Sequence, residues 1–449
     1  MGQDVRNDSR VCRTPPGPPR NLNLYLRPNP ILVAVSLTFI LMTSGLVYYL
    51  MLPLPSGDDG GPDELTPHAA IAIDGDANFI ATALLEGWLG DGSPENPFII
   101  NGLDIDLGDG EGNCIMISNT RVSFTISNCN LTGANHAADG ELIWWSPGDD
   151  LEFPRHEMNK GAGIHLHNVS NGELVSNTCN NNSIGIDLFY VDSNTVSSNN
   201  CTNNGHGIVL WGSDSNTVTN NTCNSNTECA IYLYDSYSNI VEDNTCLGNT
   251  GCGIYLNCSF LNMLVNNTCN ENGYSGISVS WFPGGGGLRS APPPNTVEDN
   301  TCNENGHSGI CLTSLEQSTV VNNTCNSNDI GIWLFQSITI TVTKNTCNSN
   351  DIGISVSKSS GNTVSDNTCT NNRIGIYVDD ESESITVTNN TCLGNTEHDI
   401  VDNSEHDIVD EWLAHSVYVA KQFVWFLAGC GMILVVSLIA FVRFRRMEI

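Results

Sequence analysis

Apolar and polar positions alternate along most of this chain in short bursts. Ile186-Asp187-Leu188-Phe189 is one, and similar bursts return at Ile208, Ile231, Ile254, Ile277, Ile310, Ile332, Ile354 and Ile376. Alternation sends successive side chains to opposite faces, which is the period of a strand and not of a helix. Each burst opens on a Gly-Ile or Ala-Ile pair and is bounded by Asn, Gly and Ser, the residues of tight turns. The pattern predicts three short strands in each unit, with turns between them.

The bursts keep a fixed distance from one another. Asn-Thr-Cys, once Asn-Asn-Cys, recurs ten times and ends on Cys179, Cys201, Cys223, Cys246, Cys269, Cys302, Cys325, Cys347, Cys369 and Cys392. The gaps are 22, 22, 23, 23, 33, 23, 22, 22 and 23 residues. An aliphatic residue stands five positions before each cysteine (Leu174, Val196, Val218 and onward to Val387), and Asn stands two before and three after. The next Ile follows seven or eight positions later, which accounts for the change between 22 and 23; the gap of 33 is a 23-residue unit with ten residues added after Ile277. Such a period means that one unit is stacked repeatedly. Stacked coils pair strand on strand at ~4.8 Å, so equivalent residues form ladders, and an inward Asn is satisfied by its copies above and below. The fold expected is all-β: a right-handed single-stranded parallel β-helix, a solenoid with about 22 residues per coil. A leucine-rich repeat has a similar period, but its Leu-rich consensus and helical segment are missing.

Composition adds the setting. The net charge is −33 over 449 residues, and it is uneven. Five arginines (Arg6, Arg10, Arg13, Arg20, Arg27) precede residue 30 and three (Arg443, Arg445, Arg446) follow residue 442, so the region between is strongly acidic. That surface repels nucleic acid and suits salt, divalent cations or neutral glycans. Residues 30–52 and 422–442 are each long and apolar enough to span a bilayer. The arginines outside both spans place both termini in the cytoplasm, and with them a cell-membrane protein whose repeats lie on the extracytoplasmic side.

The rest of the chain divides accordingly. Residues 1–29 read as a disordered cytoplasmic tail, 53–64 as a linker, and 65–100 as an N-terminal cap. In the cap a helix over 76–88 presents Phe79, Ile80, Leu84 and Leu85 to the open end of the stack. The β-helix occupies 101–403, with insertions at 133–160 and 280–294, followed by a juxtamembrane segment (404–421) and a cytoplasmic tail (443–449).

Ile71-Ala-Ile-Asp-Gly75, Phe79, and Gly87-Trp-Leu-Gly-Asp-Gly-Ser-Pro-Glu-Asn-Pro-Phe-Ile-Ile-Asn-Gly102 resemble the entry segment of NosD-like right-handed β-helix proteins, many of them archaeal surface proteins. The later Asn-Thr-Cys and Gly-Ile pattern is similar to the parallel β-helix repeat of carbohydrate-binding and sugar-hydrolase (CASH) domains. The resemblance spans about residues 70–400. It implies the fold and, through one branch of the family, a role in copper maturation.

Candidate chemistry lies on the outward side of the Gly-Ile strand. Two outward columns carry Phe189, Trp211, Tyr232, Tyr234, Tyr255, Trp333, Phe335 and Tyr377, and the insertions add Trp144, Trp145 and Trp281. Aromatic faces of this kind stack on sugar rings. His165 and His167 share one face with Asp187 one coil above, so two imidazoles and a carboxylate fall within ~5–7 Å, a ligand set for a divalent metal, calcium or copper. The ten repeat cysteines read as small apolar fillers. Cys229 and Cys252, on adjacent coils beside a turn, are the candidate disulfide. Gly205-His-Gly-Ile208 is similar to the Gly-His-Gly of polygalacturonases, yet Gly306-His-Ser-Gly-Ile310 fills the same turn and the acidic partners of that family are missing. No complete catalytic constellation is present.

The reading is a membrane-anchored extracellular β-helix that binds or presents at the cell surface, toward polysaccharide or an envelope protein. A polysaccharide lyase or hydrolase of the same fold is one alternative. A copper-handling accessory protein, as the NosD resemblance implies, is the other.

Overall fold

The structure is a computed structural model, and it describes residues 65–135, 161–281 and 293–404. Within them the chain winds as a parallel β-solenoid. One sheet has thirteen strands, from Ile71–Asp74 to His398–Asp402, and a second has twelve, from Phe98–Asn101 to Thr386–Thr388. A third face begins as a four-stranded sheet ending in Thr178–Asn180. Beyond that it continues as single-residue parallel bridges through Asn200, Thr222, Thr245, Thr268 and onward to Thr391. The expected third strand therefore narrows to one residue per coil. Residues with positive φ bracket it closely, Asn220 and Ser225 around Thr222 for example, and the chain turns before a strand can lengthen.

Register is kept coil by coil. Ile186 pairs with Ile208, then Ile231, Ile254, Ile277, Ile310, Ile332, Ile354 and Ile376. The ten residues added after Ile277 do not disturb it. The last copy among the described residues, His398–Asp402, pairs with Ile374–Val378.

The interior is built from repeated columns. The ten repeat cysteines are buried and free, side by side with the aliphatic columns. Two Asn ladders run beside them. Asn221 shows the arrangement: its backbone N–H and its Nδ2 both donate to Asn244 Oδ1, at 2.9 and 3.0 Å, while Asn244 Nδ2 donates back to the Val218 carbonyl at 2.8 Å. Each Asn thus serves the main chain of the coil before it, which is how so many polar groups remain inside without loss. A third ladder, Asn194, Asn216, Asn239, Asn262 and Asn295, repeats the device. A serine ladder, Ser213, Ser236 and Ser259, follows beside it. Gly253 shows how tight the wall is: a Cβ there would stand 2.6 Å from the Gly276 carbonyl oxygen and 2.8 Å from Cys269 Cβ.

The cap differs from expectation in which face it buries. The helix α1 spans Asp76–Glu86 and ends at Gly87 in the left-handed conformation. Phe79 and Ala83 are its buried residues, and Phe79 meets the rings of Trp88, Phe98 and Phe124 at 6.0, 5.6 and 5.3 Å. Ile80, Leu84 and Leu85 are exposed, the last two by 78% and 83%. One aromatic plug closes the narrow end of the solenoid, so the rest of the helix has no core to reach.

Among the described residues no helix is long and apolar enough to cross a membrane. The two expected spans, 30–52 and 422–442, lie outside the described residues, as do Trp144 and Trp145.

Candidate functional site

The thirteen-stranded sheet turns Ile186 and Leu188 inward and Asp187 and Phe189 outward, and every coil repeats the choice. Its outer face is therefore set by the residues that vary from copy to copy. Both insertions are rooted at strand ends of this sheet. One lies before Ala162–His167, and the other follows Ile277–Ser280.

The column nearer the strand start is not an open wall. His165, Asp187, Val209, Ser278, Cys311 and Ser355 are buried, and Tyr232, Tyr255, Trp333 and Tyr377 are half-buried. Smaller side chains lie in register between bulky ones at one coil's spacing, and the larger rings shade them. The second column is more accessible. Phe189, Trp211, Tyr234 and Phe335 are all half-exposed.

Ring contacts divide these aromatics into two patches. In the first, Trp211 stacks on Tyr234 with centroids 4.2 Å apart, Tyr232 stacks on Tyr255 at 5.3 Å, and His167 leans on Phe189 at 5.3 Å. In the second, Trp333 meets Phe335 and His307 at 5.4 Å, and His307 stacks on Tyr274 at 5.0 Å. Trp281 packs partly buried against the core, edge-on to Phe260 at 6.4 Å. Tyr377 stands outside both patches.

The expected metal triad is not assembled. His165 Nδ1 and Asp187 Oδ2 lie 2.7 Å apart as a buried hydrogen-bonded pair. The His167 ring sits 6.4 Å from that of His165 and turns to Phe189. Among the described residues no group of three or more His, Cys, Asp or Glu could hold a metal ion. Asp187 points to one imidazole, and the other imidazole belongs to the aromatic column. Burial and the neighbouring His165 hold His167 below the usual imidazole range.

Cys229 and Cys252 are free thiols, so the expected disulfide is not formed. In-register parallel strands aim their Cβ vectors alike, which resists the right-angled S–S dihedral. Contact with the Cys229 thiol, together with burial, holds the Cys252 thiol well above its ordinary range. His206 is more than a turn residue: it stands two residues before the repeat Ile, as do Cys229 and Cys252. The three form one column on successive coils. That common offset was the signal available in the sequence. His206 Nδ1 lies 3.3 Å from the Cys229 backbone N–H, and burial pushes the imidazole down to about 4.

This is a parallel β-solenoid in which repeated inward columns support a variable outer face. Residues 135–281 and 286–421 match the family described as periplasmic copper-binding protein (NosD), and the chain belongs to that family. No curated protein matches it in sequence. Among solved structures it is similar to the periplasmic alginate epimerase AlgG, at 13% identity over 72% of this chain and 85% of that one, with a TM-score of 0.43. The mannuronan C-5 epimerase AlgE4 A-module of Azotobacter vinelandii shows 14% identity over 73% and 92%, with a TM-score of 0.42. DFA-IIIase from Arthrobacter chlorophenolicus A6, without its lid, shows 13% identity over 68% and 75%, with a TM-score of 0.40. At this level no residue correspondence follows.

Proposed function

We propose that this protein is a β-helix held at the outer side of the membrane by the apolar segments 30–52 and 422–442, and that it contacts polysaccharide through the outer face of its thirteen-stranded sheet. The observation that carries the reading is the aromatic patch of Trp211, Tyr234, Tyr232 and Tyr255, in which Trp211 stacks on Tyr234 and Tyr232 on Tyr255, with Phe189 in register beside Trp211 on the preceding coil. A row of half-exposed rings at the coil repeat offers π faces to the C–H faces of successive sugars. The acidic surface around it favours a neutral glycan over a polyanionic one. The expected result is saturable binding of the full chain to an insoluble or immobilised neutral polysaccharide, weakened about tenfold by Trp211→Ala. Equal retention of the wild type and this variant on every glycan tried rejects the reading.

The buried His165–Asp187 pair favours a second reading, a glycan-cleaving or glycan-modifying enzyme, because a carboxylate that orients an imidazole prepares a general base. New reducing ends or unsaturated uronates released by the wild type, and lost in Asp187→Asn, select that reading over simple binding.

A further inference from the structure

The family name speaks of copper, and the outer face of the thirteen-stranded sheet offers no three-residue site for it among the described residues. A pair of soft donors remains. Cys229 and Cys252 are in register on adjacent coils, and both are free. They stand apart from the cysteine ladder, at the turn that opens the strand. They are also less enclosed: Cys229 is 9% and Cys252 5% exposed, whereas Cys201, Cys223, Cys246 and Cys269 are at 0%.

Two further observations mark the place. The next residue in the column, Ser275, is fully buried, and its hydroxyl has no hydrogen-bond partner. The Ser275 backbone N–H faces the Cys252 sulfur. A buried orphan hydroxyl thus stands one coil beyond the two thiols, in the same column.

We propose that Cys229 and Cys252 form a two-coordinate site for copper(I). Equivalent residues on neighbouring strands stand ~4.8 Å apart, and a metal–thiolate bond is ~2.3 Å long. A linear sulfur–copper–sulfur bridge spans that gap with little movement. A disulfide needs its sulfurs at ~2.05 Å and a dihedral near 90°, which this stacking opposes. Thiolates select copper(I) over hard cations. On binding, two S–H bonds are replaced by two S–Cu bonds. Two protons leave for solvent, and copper enters and stays in the +1 state, so no oxidant or reductant takes part. The site is independent of the glycan reading, and either can fail alone.

The test is anaerobic titration of the full-length reduced chain in detergent with copper(I), in competition with a chromophoric copper(I) chelator. The expected result is one tightly held equivalent that is lost in Cys229→Ser/Cys252→Ser, with affinity falling at least a hundredfold. X-ray absorption of the loaded chain should show two sulfur neighbours and no nitrogen shell. Serine already fills this column at Ser275 and Ser308, so the fold accepts the exchange. The single variant Cys252→Ser gives the same loss should the double variant fold poorly. Cys179→Ala, in the ladder, keeps the copper. Copper that never competes with the chelator, copper retained by the double variant, or a Cys229–Cys252 disulfide in the chain purified under air each overturns the proposal.

Discussion

The two sides of one strand make different demands. On the inner side of Ile184–Phe189 every position is one member of a column repeated through the stack: Ile186 over Ile208, Leu188 over Leu210. On the outer side Asp187 is followed by Val209, Tyr232 and Tyr255, with no rule from coil to coil. An inner residue must fill the same space as its copies and satisfy the same main-chain groups, so its neighbours dictate it. An outer residue answers only to solvent, to the ring above and below, and to whatever docks. The periodic half of the strand builds the protein, and the aperiodic half is where its function is to be sought.

The sharpest way to break this contrast is to alter one rung of the inner ladder. Asn244→Leu strands the buried Asn221 N–H and the Val218 carbonyl together. At about 1–3 kcal/mol for each unsatisfied group, denaturant unfolding should show a loss of roughly 4 kcal/mol. A loss under 1 kcal/mol would mean that the ladder does not carry the fold. Acidification comes next. His206 is held neutral by burial with its pKa near 4, against about 6.5 when unfolded. The unfolded chain therefore binds the extra proton first, and stability falls as pH drops from about 6.5 toward 4, by up to about 3 kcal/mol. His206→Ile, which copies Ile184 one coil below, should flatten that slope in unfolding curves taken across the window. An unchanged slope would assign the effect to other groups, His167 and His307 first.

Gly253→Ala probes the wall itself, since the added methyl meets backbone oxygen and a neighbouring Cβ. A destabilisation of about 2 kcal/mol is expected from such overpacking, readable as a fall in melting temperature. On the outer side the order of effects reverses. Trp211→Ala should leave stability within about 1 kcal/mol while weakening glycan binding about tenfold, so binding and melting measured on one sample separate the two faces. The smallest effect belongs to Arg373. It reaches Asp351 and Glu397 at 2.7 Å, but with partners more than half exposed. Arg373→Ala should cost at most about 1 kcal/mol, and less in high salt.

The repeat was legible because a stacked coil leaves the same residues at the same offsets, and Cys179 to Cys392 report it without aid from any structure. The third Asn ladder was equally present, at the Asn two before each aliphatic residue in Asn194-Thr-Val196 and Asn216-Thr-Val218, but it passed for turn composition. The face of α1 was misjudged because helical spacing identifies a stripe without saying how much core awaits it. The mouth of the solenoid admits Phe79 and little else.

By itself, then, the sequence determined the coil, its length, its stacking and the cysteine, aliphatic and flanking Asn columns, since each of these is enforced by the copy next door. Only the tertiary structure decided what the outward residues do. It drew Asp187 to His165 and away from a shared metal site, and it buried the smaller residues of the first outward column. Those outcomes depend on side-chain directions and on ring-to-ring contacts between coils, and residue spacing carries no record of either.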